Sequence, residues 1–380
     1  MKLQTRKVKE FAEVITGGTP STAKSEFWEG GSIPWIRSGE LKECKIFKSK
    51  GFITELGYKE SAVKLMPLKS VLIALTGTTT GQTALLEIEA TANQSVTGIL
   101  PSKNHHPEYL FYYLRSIKNR VKSKAYGGAQ PHISQDFVKN IEVPLPDLKT
   151  QQKIASILEQ ADAARQKRKQ ANQLTEQFLQ SAFLEMFGDP VRNEKGWEVK
   201  EFGEIALIEK EAVQCTEISD NDLYIGLEHI EKDSGKLLGY QKTNEVDLKS
   251  TKFKFTREQI LYGKLRPYLN KVCFPNISGI CSTDILPIKA KAKIANRFFV
   301  GYLMKQPFFI DKATSMSNGA NLPRISPKTL ETFEIILPPL PLQQKFATLV
   351  EQVEHLRTKQ RESEKELENL FGSLMQRYFE

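Results

Sequence analysis

The feature that most constrains this chain is that it is written twice. At an offset of 191–192 residues, VKEFAEV (8–14) matches VKEFGEI (199–205) and GAQPHIS (128–134) lies over ANLPRIS (320–326). PDLKTQQKIA (146–155) lies over PPLPLQQKFA (338–347) without a gap. Between these anchors IPWIRSGEL (33–41) parallels DLYIGLEHI (222–230), and PEYLFYYLRS (107–116) roughly parallels ANRFFVGYLMKQ (295–306). Collinear matches at one offset imply that a whole unit was duplicated, so one architecture must occur twice. The ends of the halves match well and their middles poorly.

Each half closes on a long helix. In the second, Phe346, Leu349, Val353, Leu356, Leu367, Leu370 and Leu374 fall on one a/d heptad frame, interrupted by Gln360 and Ser363. The first helix fits the same frame with Ile154, Ile157, Ala161, Ala164, Ala171, Phe178 and Ala182, Arg168 standing at the polar gap. An apolar stripe sustained over about five heptads predicts a coiled coil. Pro144, Pro146, Pro338, Pro339 and Pro341 precede the helices, where they end a strand without breaking a helix. Short β-rich runs (70–77, 259–266) precede helical stretches near 107–124 and 296–313, and Ser134 and Ser326 read as N-caps of a short helix before the last strand. The predicted fold class is α+β: two similar domains in tandem, 1–148 and 189–342. They are joined and spaced by two long helices, 149–188 and 343–380, forming an antiparallel coiled coil with pseudo-two-fold symmetry.

Composition narrows the function. The chain has 380 residues, 40% of them hydrophobic, enough for real cores. Its net charge of +9 points to a polyanionic partner, and the excess lies in the two globular blocks. No run approaches the roughly 20 apolar residues of a membrane span, and MKLQTRKVKE lacks the apolar segment of a signal peptide. A cytoplasmic protein is expected. Cys44, Cys215, Cys273 and Cys281 form no CxxC pair and read as reduced thiols.

Catalytic signatures are missing. GTTTGQT (77–83) lacks the lysine and spacing of a phosphate loop. Neither an adenine-methylation motif nor a methyl-donor loop is present, and the five histidines show no zinc spacing. His105-His106 reads as part of a solvated polar loop. These absences predict a reader, with no catalytic site and no bound metal.

VKEFAEVITGGTPS, IPWIRSGEL, the P-x-L-x-x-QQKIA start of a long helix, and FGDPVRNEKGW leading into VKEFGEI together carry a likeness. The chain resembles the specificity subunit of Type I restriction–modification systems over essentially its whole length. That resemblance implies a non-catalytic DNA-recognition subunit whose two target recognition domains each read one half of a split site in double-stranded DNA. It also implies two methyltransferase (modification) subunits supplying adenine-N6 chemistry with S-adenosylmethionine, and a motor-nuclease (restriction) subunit using ATP and Mg. No cofactor is then expected on this chain itself. The rival reading, a coiled-coil scaffold displaying two protein-binding domains, has no reason to show salt-dependent binding to duplex DNA.

Arg and Lys favour guanine, Asn and Gln favour adenine, and hydroxyls and basic groups contact phosphate. On that chemistry GKLRPYLNK (263–271) is the densest candidate, with Lys264, Arg266, Tyr268, Asn270 and Lys271. Its counterpart, 76–83, offers Thr78, Thr79 and Gln82. A second pair of loops precedes the N-capped helices, with Tyr126, Gln130 and His132 in one half and Asn318, Asn321 and Arg324 in the other. Arg37 and Ser38 are further candidates. The basic run Arg115, Lys118, Arg120, Lys122 and Lys124, and the cluster Arg165, Lys167, Arg168 and Lys169, read as solvated faces that could approach phosphate or a partner.

Overall fold

The structure, a computed structural model, describes residues 4–127, 131–248 and 250–379. It divides into two compact units, Met1–Arg168 with Ser363–Glu380, and Lys169–Glu362. This division crosses both long helices, whereas the sequence suggests boundaries at their ends. The reason is packing: Leu158 and Phe371 lie in the core of the first unit, and Phe183, Phe187, Phe346 and Val350 in that of the second.

The duplication is explicit in the sheets. In the first unit the order is Val14–Thr16, Val96–Ile99, Val71–Ala74, Thr83–Leu86, Lys45–Ile46, antiparallel except for the last pair. In the second it is Ala206–Ile208, Ile285–Ala290, Ile260–Gly263, Val272–Cys273, antiparallel throughout. The central strands are buried on both faces. Val71 and Ile73 face one cluster and Leu72 and Ala74 another; Ile260 and Tyr262 are likewise divided from Leu261. Period-2 side-chain alternation makes such an all-apolar run a strand shared by two cores. Each half also has a two-stranded antiparallel sheet, Thr5–Lys7 with Glu142–Pro144 and Glu198–Glu201 with Glu334–Leu337. The halves diverge in the third sheet, three-stranded in the first unit and five-stranded in the second, where their sequences also diverge.

The expected short helices are present. Ser134 Oγ accepts from the Phe137 N–H at 3.0 Å and Ser326 Oγ from the Thr329 N–H at 3.1 Å, capping Gln135–Lys139 and Pro327–Glu331. The long helices run Leu148–Phe187 and Leu340–Phe379. In the second unit Thr175 meets Gln360 while Phe183 and Phe187 meet Phe346, so the two helices run antiparallel there.

Four positions of the expected seam are shifted by one residue. Ile154, Ala161, Ala182, Phe346 and Val353 are buried as the heptad requires, but Phe178, Leu356 and Leu370 are half exposed. Leu158, Leu179, Val350 and Phe371 are buried instead. Adjacent apolar pairs (Ile157-Leu158, Phe178-Leu179, Leu349-Val350, Leu370-Phe371) satisfy either 3–4 spacing, and the globular cores select the later residue. Gln360 lies in the seam and is buried, its Nε2 donating to Thr175 Oγ1 at 3.1 Å. A buried polar pair of this kind fixes coiled-coil register at some loss of stability.

The first glutamine of each QQK motif is a buried tie. Gln151 accepts from the His106 N–H at 2.9 Å and donates to the Pro146 carbonyl at 2.7 Å. Gln343 accepts from the Asn296 N–H at 2.8 Å and donates to the Pro338 carbonyl at 2.7 Å. Each thus joins the strand exit to the start of a core helix, Pro107–Ser116 or Arg297–Met304. His105 departs from expectation. It is buried against Phe11, with Nδ1 2.9 Å from Ser102 Oγ, rather than solvated.

Candidate nucleic-acid interface

In each unit the two candidate loops, about fifty residues apart in sequence, are hydrogen-bonded into one edge. The Gly77 N–H donates to the Pro131 carbonyl at 2.9 Å and the Ile133 N–H to the Leu75 carbonyl at 2.9 Å. In the second unit the Arg266 N–H donates to the Pro323 carbonyl at 2.7 Å and the Ile325 N–H to the Lys264 carbonyl at 3.1 Å. Within the second loop of each pair, Tyr126 and His132 exchange backbone hydrogen bonds of 3.1 and 2.7 Å, and Asn318 and Arg324 do so at 3.0 and 2.9 Å. The two frames therefore share the same pattern of backbone hydrogen bonds. Gly77 corresponds to Arg266, Gly81 to Asn270, His132 to Arg324 and Tyr126 to Asn318.

Several expected contact residues point outward from this frame. Thr78, Tyr126, Arg266, Tyr268, Asn318, Asn321 and Arg324 are exposed, and Thr79, His132 and Lys264 are half-buried. Tyr126 packs edge-on against His132, ring centroids 5.3 Å apart. Arg37 is exposed over the Trp35 ring and Ser38 is half-buried beside it; Ser38 opens a short 3-10 helix, Ser38–Glu43, that packs against the turn Gly77–Thr79. Gln130 lies outside the described residues.

Three expected contact residues turn inward. Gln82 donates to the Leu41 carbonyl at 3.3 Å and accepts from Lys118 Nζ at 2.6 Å. Lys271, at the corresponding position, donates from Nζ to the Leu227 carbonyl at 2.6 Å. Both tether the loop to the neighbouring 3-10 segment, because a long polar side chain beside a buried strand end must satisfy a nearby backbone group. Asn270 is buried, with φ +48° and Nδ2 3.5 Å from the Asp233 carbonyl. The basic runs are also partly structural. Arg115 pairs with Asp162 at 3.0 Å, Arg120 donates to the Tyr113 hydroxyl at 3.0 Å, and Arg165 bridges Asp162 and Glu368 at 2.8 and 2.5 Å. Lys122 and Lys124 remain exposed beside the first edge.

A model of the Type I restriction modification DNA specificity domain matches residues 2–176 and again 194–369. The chain belongs to that family. The specificity subunit of the MjaIX Type I restriction enzyme of Methanocaldococcus jannaschii is 28% identical over 377 residues, covering 91% of this chain and 85% of the relative. The EcoDI specificity subunit of Escherichia coli is 27% identical over 280 residues, covering 65% of this chain and 62% of the relative. The solved Type I specificity subunit from M. genitalium shares the fold, with a TM-score of 0.60 at 14% identity over 99% of this chain and 95% of that one.

The protein is thus a non-catalytic specificity subunit with two recognition domains in tandem. No helix among the described residues is long and apolar enough to cross a membrane. Burial, together with the nearby Arg324 and Lys210, lowers the Lys264 pKa against the pull of Asp284, and burial lowers that of Lys271. Asp284 was invisible in the sequence, since its place beside the edge depends on strand pairing forty residues from Arg324.

Proposed function

We propose that each recognition domain reads one half of a bipartite site in duplex DNA through its paired loops, and that the two long helices set the spacer. The observation that carries this reading is the shared backbone frame with different outward side chains: a fixed scaffold with two readouts. The helices and the duplicated block ends offer two similar surfaces, suited to docking two methyltransferase subunits, with a motor-nuclease subunit completing the complex. S-adenosylmethionine, ATP and Mg then belong to those partners, adenine-N6 methylation is their chemistry, and the assembly works in the cytoplasm on chromosomal or invading DNA.

The test is to co-express the chain with its partner subunits in a host free of adenine methylation and to map the methylated sites. A two-part motif is expected. Substitutions in 263–271 should alter one half only and substitutions in 76–79 the other. Removing 165–171 together with 357–363 shortens each helix by about 10 Å, or roughly three base pairs, and should shorten the spacer while keeping both half-sites. A motif whose two halves both change with one loop, or methylation without sequence preference, would refute the reading.

A further inference from the structure

Among the described residues, Arg324 is the one exposed side chain of the second edge held by an ion pair. Its Nε donates to Asp284 Oδ1 at 2.9 Å and its Nη2 to Asp284 Oδ2 at 3.4 Å, while Nη1 donates to the Leu322 carbonyl at 3.4 Å. A guanidinium has five N–H donors. Three are spent on these contacts, leaving one on Nη1 and one on Nη2. The end of a guanidinium fork presents one N–H of Nη1 and one of Nη2 side by side, spaced to meet two acceptors at once. The Arg324 side chain is 43% exposed, whereas that of Asp284 is 26% exposed.

Asp284 is itself anchored. Its carbonyl accepts from the Lys264 N–H at 2.9 Å and its N–H donates to Ser282 Oγ at 3.2 Å. The backbone of Arg324 is fixed by its exchange with Asn318 and its bridge to Leu265. Both ends of the ion pair therefore rest on the rigid frame of the edge. By contrast Arg266, on the same edge, has no pairing side chain among the described residues.

The duplication supplies a control. The Leu75 N–H donates to the Ser95 carbonyl at 2.8 Å as the Lys264 N–H does to that of Asp284, so Ser95 stands where Asp284 stands, and His132 where Arg324 stands. The charged pair in one domain is replaced as a pair in the other. The frame forms in the first domain without the pair, so the backbone does not require it and the two side chains are free to serve readout.

We propose that Arg324 reads a guanine in the half-site of the second domain, and that Asp284 is the positioning residue that aims it. The inference rests on the reading that this edge faces duplex DNA. The O6 and N7 acceptors of guanine in the major groove match the two remaining donors, and no other base offers two acceptors there. Pairing with Asp284 also offsets the charge of the guanidinium, which stays protonated, so its net attraction to phosphate is weaker and selectivity is its main contribution.

The experiment is methylation mapping with the full chain and its methyltransferase subunits. Arg324→Ala should relax one guanine position in one half of the motif, with discrimination falling roughly 5- to 150-fold and every other position unchanged. Arg324→Lys keeps the charge but loses the fork, and should relax the same position. Asp284→Asn keeps the shape and should relax it to a smaller degree; a merely structural Asp284 would lower methylation at all sites without changing base preference. The half-site of the first domain reports in every sample that the subunit is folded and assembled. A motif unchanged in both arginine variants overturns the proposal, as does a loss uniform across sequences, which would place Arg324 on phosphate. Failure of the unsubstituted subunit to direct a two-part motif would instead refute the DNA-reading function.

Discussion

The two loop edges follow one backbone path by different means. The first places Gly77 and Gly81 at the two left-handed positions, with φ of +69° and +77°. The second places Arg266 and Asn270 there, with φ of +53° and +48°. Glycine takes this conformation without cost, whereas a residue with a Cβ is disfavoured by about 1–2 kcal/mol, less for Asn. The second edge thus carries backbone strain that the first edge avoids. Asn270 is buried and serves the turn, but Arg266 projects into solvent and serves nothing inside the fold. Strain kept for an outward side chain makes Arg266 the residue of this turn to test for a role in DNA binding.

The same comparison can be drawn in the cores. His106 and Asn296 occupy equivalent positions, each donating its N–H to the tie glutamine, so buried His105 corresponds to buried Ala295. Burial, reinforced by the charge of His106, pushes the His105 pKa down to about 4. Its Nε2 has no hydrogen-bond partner among the described residues. The unfolded chain binds a proton there below about pH 6.5 and the folded one does not, so stability rises with pH across this window and is lost as pH falls from 6.5 towards 4. The shift is worth about 3 kcal/mol, confined to the first unit. Hydrogen exchange at pH 4.5 and 7, corrected for intrinsic rates, should show the first unit losing more protection than the second. His105→Gln should remove most of that excess. Equal losses in both units, unchanged by the substitution, would break the comparison.

The tie glutamines sharpen it at a smaller scale. Gln343→Ala leaves buried groups of Asn296 and Pro338 unpaired and should destabilise the second unit by about 2 kcal/mol. Gln151→Ala should do the same to the first. Gln343 also lies 3.4 Å from the Ile294 carbonyl, so its loss should be the larger of the two. Denaturant unfolding followed by unit-resolved exchange checks both. Loss in the wrong unit, or none, would show that the repeated QQK motif is not the tie between strand exit and core helix.

Much of this architecture is legible in the sequence because it follows from short-range rules: a repeat offset, serine caps, buried apolar runs and proline stops. The loop pairs are legible too, since glycine, proline and Ile-Ser recur at fixed positions. What fails is whatever depends on contacts far along the chain. The heptad frame cannot choose between Leu349 and Val350, or Phe178 and Leu179, because each pair satisfies the spacing and only the globular cores decide. Gln82, Lys271 and Arg115 look like free polar groups until their partners, Leu41, Leu227 and Asp162, are brought beside them. Asp284 carries no local signal at all. Polar residues near buried backbone are recruited inward, and a sequence does not announce which ones.

The sharpest small test of the comparison converts one edge towards the other. Arg266→Gly places at the second edge the residue that the first edge has at Gly77, and it removes a Cβ from a left-handed position. The Pro323 carbonyl still receives the amide, so the loop frame should survive. Two opposite effects are expected. Stability of the second unit should hold or rise by about 1 kcal/mol, because relief of strain outweighs the added freedom of the unfolded chain. DNA binding by the assembled complex should weaken in the half-site of the second domain. If Arg266 meets a phosphate, that weakening is uniform across sequences and the salt slope falls by about one unit; if it meets a base, preference relaxes at one position. Thermal unfolding and salt-dependent binding, measured on the same variant, separate these outcomes. A variant that is less stable but binds DNA unchanged would reverse the argument, making Arg266 a part of the turn and leaving the strain without a function.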